Sequence, residues 1–238
     1  MTRRRWIADQ VAGDRAALIG PHAYHLCRVL RARVGQVFDI ATGTTVRRGR
    51  IIIAEEDRVE FDLLEEVKVQ AVPPLTLLLS IFKFDRMEWA IEKCTELGVA
   101  RIAPVVARRT ERHLALAAER RVDRWRRIGQ QAAEQSRRVS PPEILNPLTL
   151  SQAFAMTSGR RIVLNETEQD VMLGDLVHDE DTGELLLAVG PEGGWAPEEL
   201  QAFGDAAWSS ASLGTNILRT ETAAIVAVAL AQSALAAH

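Results

Sequence analysis

The chain has 238 residues, 47% of them apolar and 26% charged, enough for one large domain or for a small domain joined to a medium one, and this excludes a disordered or fibrous protein. Cys27 and Cys94 lie far apart, and no apolar stretch follows the charged start MTRRRW, so a reduced cytoplasmic protein is expected rather than a disulfide scaffold or a secreted one. The longest apolar run, 223–230, is too short and too rich in alanine to span a bilayer and reads as a buried terminal helix.

The net charge of -3 hides an uneven distribution. Residues 1–50 hold ten arginines against three acids, and 101–140 hold eleven against four, whereas 51–100 and 141–238 are acidic. The planar fork of arginine suits phosphates and base edges, so two such blocks point to RNA or DNA; the alternative for each is a solvated helix face.

In chain order, VFDIAT (37–42), RIIIAE (50–55) and RVEFDLLE (58–65) are short strand patterns separated by Gly43, Gly49 and the acidic turn Glu55-Glu56-Asp57, which predicts a small β-rich domain. The Val-Pro-Pro step at 72–74 disfavours helix and marks a boundary, giving domains of 1–72 and 73–238. Beyond it, the apolar run 75–82 is a strand covered on both faces, and Met87, Ala90, Ile91, Cys94 and Leu97 recur at helical spacing until Gly98. The alternation continues with a strand at 102–106, a helix through 119–135, strands at 161–165 and 184–189, a helix from Pro197, a strand at 208–213 and a helix from about Thr222. That is an α/β domain with a largely parallel sheet.

Two segments carry the chemistry. LLLAVGPEGGWAPEEL is a buried strand followed by a glycine-rich loop and a helix with Pro197 in its first turn. Loops leaving the carboxyl ends of such strands hold ligands, but Glu192 would repel a phosphate, and neither a Walker lysine nor a GxGxxG pattern occurs. A ligand that is cationic or rich in hydroxyls fits better; a plain tight turn is the alternative. In SLGTNILRTETAA (212–224), Arg219 and Glu221 either form an ion pair capping the last helix or aim a guanidinium and a carboxylate into the same crevice.

GPEGGW followed about twenty residues later by LGTNILRTETAA resembles the SPOUT class of S-adenosylmethionine-dependent RNA methyltransferases. HLCRVLRARVGQ (25–36), KFDRMEWAIEKCTELGVARIAPV (83–105) and EQSRR (134–138) are similar to the members that methylate N3 of a uridine in the decoding region of 16S ribosomal RNA. The resemblance implies a small N-terminal PUA-like β-barrel, an α/β SPOUT domain with a deep C-terminal trefoil knot, and a homodimer. It implies S-adenosylmethionine as cofactor, held by Asn165, Glu166, Gly190, Pro191, Glu192, Gly193, Gly194, Leu213, Gly214, Asn216, Ile217, Leu218 and Arg219. RNA contacts fall on Arg3, Arg4, Arg5, His25, Arg28, Arg31 and Arg33 in the small domain, and on Lys83, Arg86, Lys93, Arg137 and Arg138 beyond it. Arg219 and Glu221 are the candidate catalytic pair: one to hold a uracil oxygen, the other to accept the imide proton. No metal is expected, because His22, His25 and Cys27 have no fourth ligand nearby in sequence. Two rivals stay open: a related knotted enzyme acting on a transfer-RNA ribose, and an RNA-binding protein that keeps the fold without the reaction.

Overall fold

The structure is a computed structural model that describes residues 5–68, 74–136, 138–156, 159–177 and 183–235. The chain divides into two compact units, Met1–Ala71 with Ala133–Pro141, and Val72–Ala132 with Pro142–His238.

In the first unit, β1 (Arg5–Ile7), β2 (Gln10–Ala12), β3 (Arg15–Ile19), β4 (Val37–Ala41), β5 (Val46–Ala54) and β6 (Arg58–Val67) form one curled sheet in the order β1-β4-β5-β6-β3-β2. All neighbours are antiparallel except β1 and β4. The period-two pattern of β6 buries Val59, Phe61 and Leu63 against Leu18, Ile40 and Ile51, and at roughly 1.5–3 kcal/mol per large apolar side chain these hold the sheet. Gly49 has no room for a side chain, since a Cβ there would meet Phe61 at 3.2 Å. Between β3 and β4 the chain forms α1 (Pro21–Tyr24) and a π-helical turn, His25–Val29. His22 lies between Asp9 (3.0 Å) and Glu134 (3.2 Å), and the Cys27 thiol donates to the Glu55 carbonyl at 3.2 Å.

The second unit is built on a parallel sheet of β7 (Leu75–Ser80), β8 (Arg101–Val106), β10 (Leu148–Thr149), β11 (Arg160–Leu164), β12 (Leu185–Val189) and β13 (Ser209–Ala211), in the order β10-β8-β7-β12-β11-β13, with β9 (Glu143–Ile144) also paired to β8. Every residue of β7 and of β12 is buried, as their unbroken apolar runs predict for strands covered on both faces. The helices are α2 (Phe84–Glu96), α3 (Arg112–Ala117), α4 (Val122–Gln135), whose end from Ala133 belongs to the first unit, α5 (Leu150–Phe154), α6 (Leu173–Leu176), α7 (Pro197–Asp205) and α8 (Thr220–Leu235). On one face α2 packs on α8, with Met87, Ala90, Ile91 and Cys94 set among Ala224, Ala227, Val228 and Ala231. The small side chains of α8 permit that approach. Burial pushes the Cys94 thiol up to about 12, so it is core and not a nucleophile.

Three sequence expectations shift. The helix expected through 119–135 starts at Val122, because a 3-10 turn, Ala118–Arg121, separates it from α3. The strand expected at 208–213 ends at Ala211, where the Ser212 hydroxyl donates to the Gly214 carbonyl and accepts from its N–H, both at 3.2 Å. The last helix begins at Thr220 rather than Thr222, which places Glu221 in its first turn. Among the described residues no helix is long and apolar enough to cross a membrane.

Candidate functional site

β12, β11 and β13 are neighbours and parallel, so the segments leaving their carboxyl ends meet at one edge of the sheet, where open α/β folds hold ligands. They wall a cavity lined by Leu164, Asn165 and Glu166 at the end of β11, by Val189, Gly190, Pro191, Glu192, Gly194 and Trp195 at the end of β12, and by 211–218 after β13, with Thr220 and Ala223 from α8. Two acids, Glu166 and Glu192, are in this lining, with no lysine or arginine.

The loop after β12 is tightly built. The Gly194 N–H donates to the Pro191 carbonyl at 2.8 Å. Gly194 has φ +68°, a left-handed backbone that favours glycine, and a Cβ there would lie 2.8 Å from Glu166 Oε2 and closer still to Oε1, so a side chain would be strained and would displace that carboxylate. Gly190 faces the Trp195 ring, whose Nε1 would stand 3.2 Å from a Cβ at that position. Trp195 packs edge-on to Phe203, with ring centroids 4.8 Å apart. Its indole N–H is buried without a hydrogen-bond partner among the described residues, an unspent donor in the cavity wall.

Three ties hold this loop from outside. Arg86 on α2 reaches Glu192 (3.0 Å), Arg109 donates to the Gly193 carbonyl (2.5 Å), and the buried Glu199 carboxylate accepts from the backbone N–H groups of Arg108 and Ala196, each at 2.8 Å. Glu199 thereby caps α7 and joins it to the segment after β8. On the β11 side, Asn165 accepts from the Thr167 N–H (3.0 Å) and hydroxyl (2.8 Å) and donates to Ser210 (3.3 Å). Beyond it the Glu168 carboxyl is held below the usual range, first by the Asp170 N–H and then by the Ser210 hydroxyl.

The structure brings together Asn165, Glu166, Gly190, Pro191, Glu192, Gly194, Leu213, Gly214, Asn216, Ile217 and Leu218. Gly193 and Arg219 are outside the lining: the Gly193 carbonyl turns to Arg109, and Arg219 is exposed with no side-chain partner among the described residues. No Arg219–Glu221 ion pair occurs there either. Glu221 is 5% exposed; among the described residues its nearest cation is Arg86 at 3.8 Å, and its Oε2 has no hydrogen-bond partner. Sequence reasoning missed the strand ends Leu164, Val189, Ala211 and Ser212, and also Trp195, Thr215, Thr220 and Ala223.

The candidate RNA residues are scattered by environment. Arg3, Arg4 and Arg137 lie outside the described residues. Arg5 is half-buried in β1, His25 sits against Trp6 with centroids 5.8 Å apart, and Arg28 is paired with Glu56. Arg31 and Arg33 are exposed, Arg31 with φ +54°, an unusual backbone for a long side chain. Lys83 is exposed at the start of α2. Lys93 bridges Glu92 (2.7 Å) and Glu96 (2.8 Å), bonds that raise its pKa. Burial pushes the Arg138 guanidinium down to about 10.

A family model described as an RNA methyltransferase domain matches residues 70–232. The ribosomal RNA small subunit methyltransferase E of Synechocystis is 32% identical over 228 residues, 93% of this chain and 74% of that protein. The same-named protein of Mycobacterium bovis is 32% identical over 225 residues, covering 91% and 85%. Among solved structures, a ribosomal RNA small subunit methyltransferase E from Neisseria gonorrhoeae bound to S-adenosyl methionine superposes with a TM-score of 0.82 at 29% identity, over 98% of both chains. With a family model covering most of the chain and full-length similarity on both measures, this chain belongs to the RNA methyltransferase domain family.

Proposed function

We propose that the chain transfers a methyl group from S-adenosylmethionine to N3 of a uridine in the decoding region of 16S ribosomal RNA. The observation that carries this reading is the cavity where three parallel strands end: glycine-rich backbone, an unspent Trp195 donor, and two carboxylates, Glu166 and the Arg86-paired Glu192, with no lysine or arginine in the lining itself. Such a lining disfavours a nucleotide phosphate and favours a ligand with a positive sulfonium. The relatives' names and the cofactor in the Neisseria structure point the same way.

When bound, the cofactor supplies an electrophilic methyl group. The protein's part is to hold uracil N3 in line with it and to ease loss of the imide proton. Arg219, exposed just past the lining residue Leu218, is read as the donor that holds a uracil oxygen where charge grows. Glu221 is the candidate proton acceptor, and because it lies buried, reaching N3 requires the first turn of α8 to yield.

The curled sheet of the first unit is read as a PUA-like barrel over 1–72 that grips RNA through Arg3, Arg4, Arg5, His25, Arg28, Arg31 and Arg33, while the base is presented unstacked to the catalytic domain over 73–238. Lys83, Lys93, Arg137 and Arg138 are the remaining candidate contacts, and Arg86, paired with Glu192 and Glu221, is set apart from them. We read β12, which lies between β7 and β11, and the helix that follows as the threaded part of a trefoil knot. Trp89 and Leu230, each 47% exposed, belong to the surface proposed to bury in a homodimer. A cytoplasmic location completes the reading.

The test is calorimetric titration with S-adenosylmethionine, followed by mass-spectrometric mapping of methylated nucleotides in 16S RNA incubated with the protein. Binding and an N3-methyluridine are expected. Methylation of a ribose would favour the knotted transfer-RNA enzyme, and no cofactor binding would leave an RNA-binding protein.

A further inference from the structure

The geometry points to Arg86 as a positioning residue that fixes the spacing between two walls of the cavity. Its guanidinium spans two carboxylates from different elements: NH1 lies 3.0 Å from Glu192 Oε1 in the loop after β12, and Nε lies 3.8 Å from Glu221 Oε1 in the first turn of α8. Glu192 lines the cavity, and Glu221 stands between the lining residues Thr220 and Ala223. The family resemblance implies Arg86 as an RNA contact. Its surroundings assign it otherwise, because a guanidinium already shared between two acids is a poor phosphate ligand.

The physical argument is that of a strut. Glu221 is buried, and its second oxygen has no hydrogen-bond partner among the described residues, so Arg86 is the cation that can compensate it there. A planar fork with fixed donor directions sets the spacing of the two acids it touches, where the compact charge of lysine carries no fixed geometry between them. Arg86 itself is anchored, since its neighbours Met87, Ala90 and Ile91 pack α2 against α8. The loop and the helix start are thus referred to one rigid element.

This rests on the cavity being the cofactor site. The test measures S-adenosylmethionine affinity and 16S RNA affinity separately in Arg86→Gln, Arg86→Lys, Glu192→Gln and the Arg86→Gln/Glu192→Gln double variant. The strut predicts that Arg86→Gln weakens cofactor binding about tenfold and RNA binding less than about twofold. Arg86→Lys should recover part of the loss. The double variant should be no weaker than the worse single one, because both break the same tie. If Arg86→Gln does not fold, Arg86→Gln/Glu221→Gln removes the stranded buried charge and replaces it in the comparison. Unchanged cofactor affinity with weakened RNA binding and a shallower salt dependence would make Arg86 a phosphate contact and overturn the inference. Additive losses in the double variant would overturn it too. A wild-type protein that binds no cofactor would instead overturn the cofactor reading itself.

Discussion

The two glycine-containing loops that wall the cavity are held in opposite ways. The loop after β12 has an internal turn bond at Gly194, a glycine pressed against Trp195, and three external ties through Arg86, Arg109 and Glu199. The loop after β13 has the Ser212–Gly214 bonds at its start, and from there Gly214, Thr215, Asn216, Ile217 and Arg219 are all exposed. One wall is set before any ligand arrives. The other has few contacts holding it, as expected of a segment that orders around its guest. A site for a cofactor that must enter and leave each turnover needs both kinds of wall: one to define the shape and one to close on it.

The largest effect should come from breaking the fixed wall. Gly194→Val introduces a branched side chain at φ +68° into the space of the Glu166 carboxylate, and cofactor binding should fall below detection by calorimetry while the far-ultraviolet circular dichroism stays native. Gly214→Ala is the matched change in the open wall: φ is +120°, but only Met172 Cε, at 3.9 Å, is near. Backbone strain alone, about 1–3 kcal/mol, should leave measurable binding. Equal losses at the two glycines would erase the contrast between the walls.

How far the sequence reveals this site follows from what holds each part. The strands were legible because their runs are apolar on both faces, and the ligand edge follows from where parallel strands end. The ties around Glu192, Gly193 and Glu199 were not legible. Arg86, Arg109 and the backbone N–H of residue 108 lie some eighty to more than a hundred residues away in sequence, and nothing local marks the Arg86 or Arg109 side chain as a clasp rather than a solvated charge. Trp195, Thr220 and Ala223 were missed for a related reason: which side of a turn or helix start faces the cavity depends on packing against β11 and α2. The start of α8 at Thr220 matters most, since it buries Glu221 behind the wall instead of leaving it in the loop.

The next effect concerns rate. Arg219→Ala should lower single-turnover methyl transfer by about two to three orders of magnitude while leaving stability and cofactor affinity nearly unchanged, because the side chain is exposed and has no partner among the described residues. Glu221→Gln separates two roles. As proton acceptor it should match the Arg219 loss. As the buried partner of Arg86 it should shift thermal stability and cofactor affinity with little change in rate at saturation. Normal rates in both variants would place the proton acceptor elsewhere or in solvent.

The arginines of the first unit supply a control that neither wall should feel. Reversing Arg31 and Arg33 to glutamate should weaken RNA binding about tenfold or more at low salt and flatten its salt dependence, because fewer counterions are released. Cofactor affinity should not move. A wild-type RNA affinity that ignores salt would return both arginines to a solvated surface.

The smallest effect tests whether the open wall closes. Ile217 lines the cavity yet is 89% exposed, and a large apolar side chain left in water at a cavity lip gains only when something covers it. Full burial of such a side chain is worth about 1.5–3 kcal/mol. Partial covering by a bound cofactor, at about 1 kcal/mol, corresponds to roughly a fivefold change in affinity. Ile217→Ser should therefore weaken cofactor binding several-fold, mainly through faster dissociation in stopped-flow displacement. Free-protein stability should change by less than about 0.5 kcal/mol, as for other exposed positions. If the dissociation rate stays at the wild-type value, Ile217 remains in water in the bound state. The loop after β13 would then be as fixed as the loop after β12, and the difference in their hydrogen bonding would not be a difference in motion.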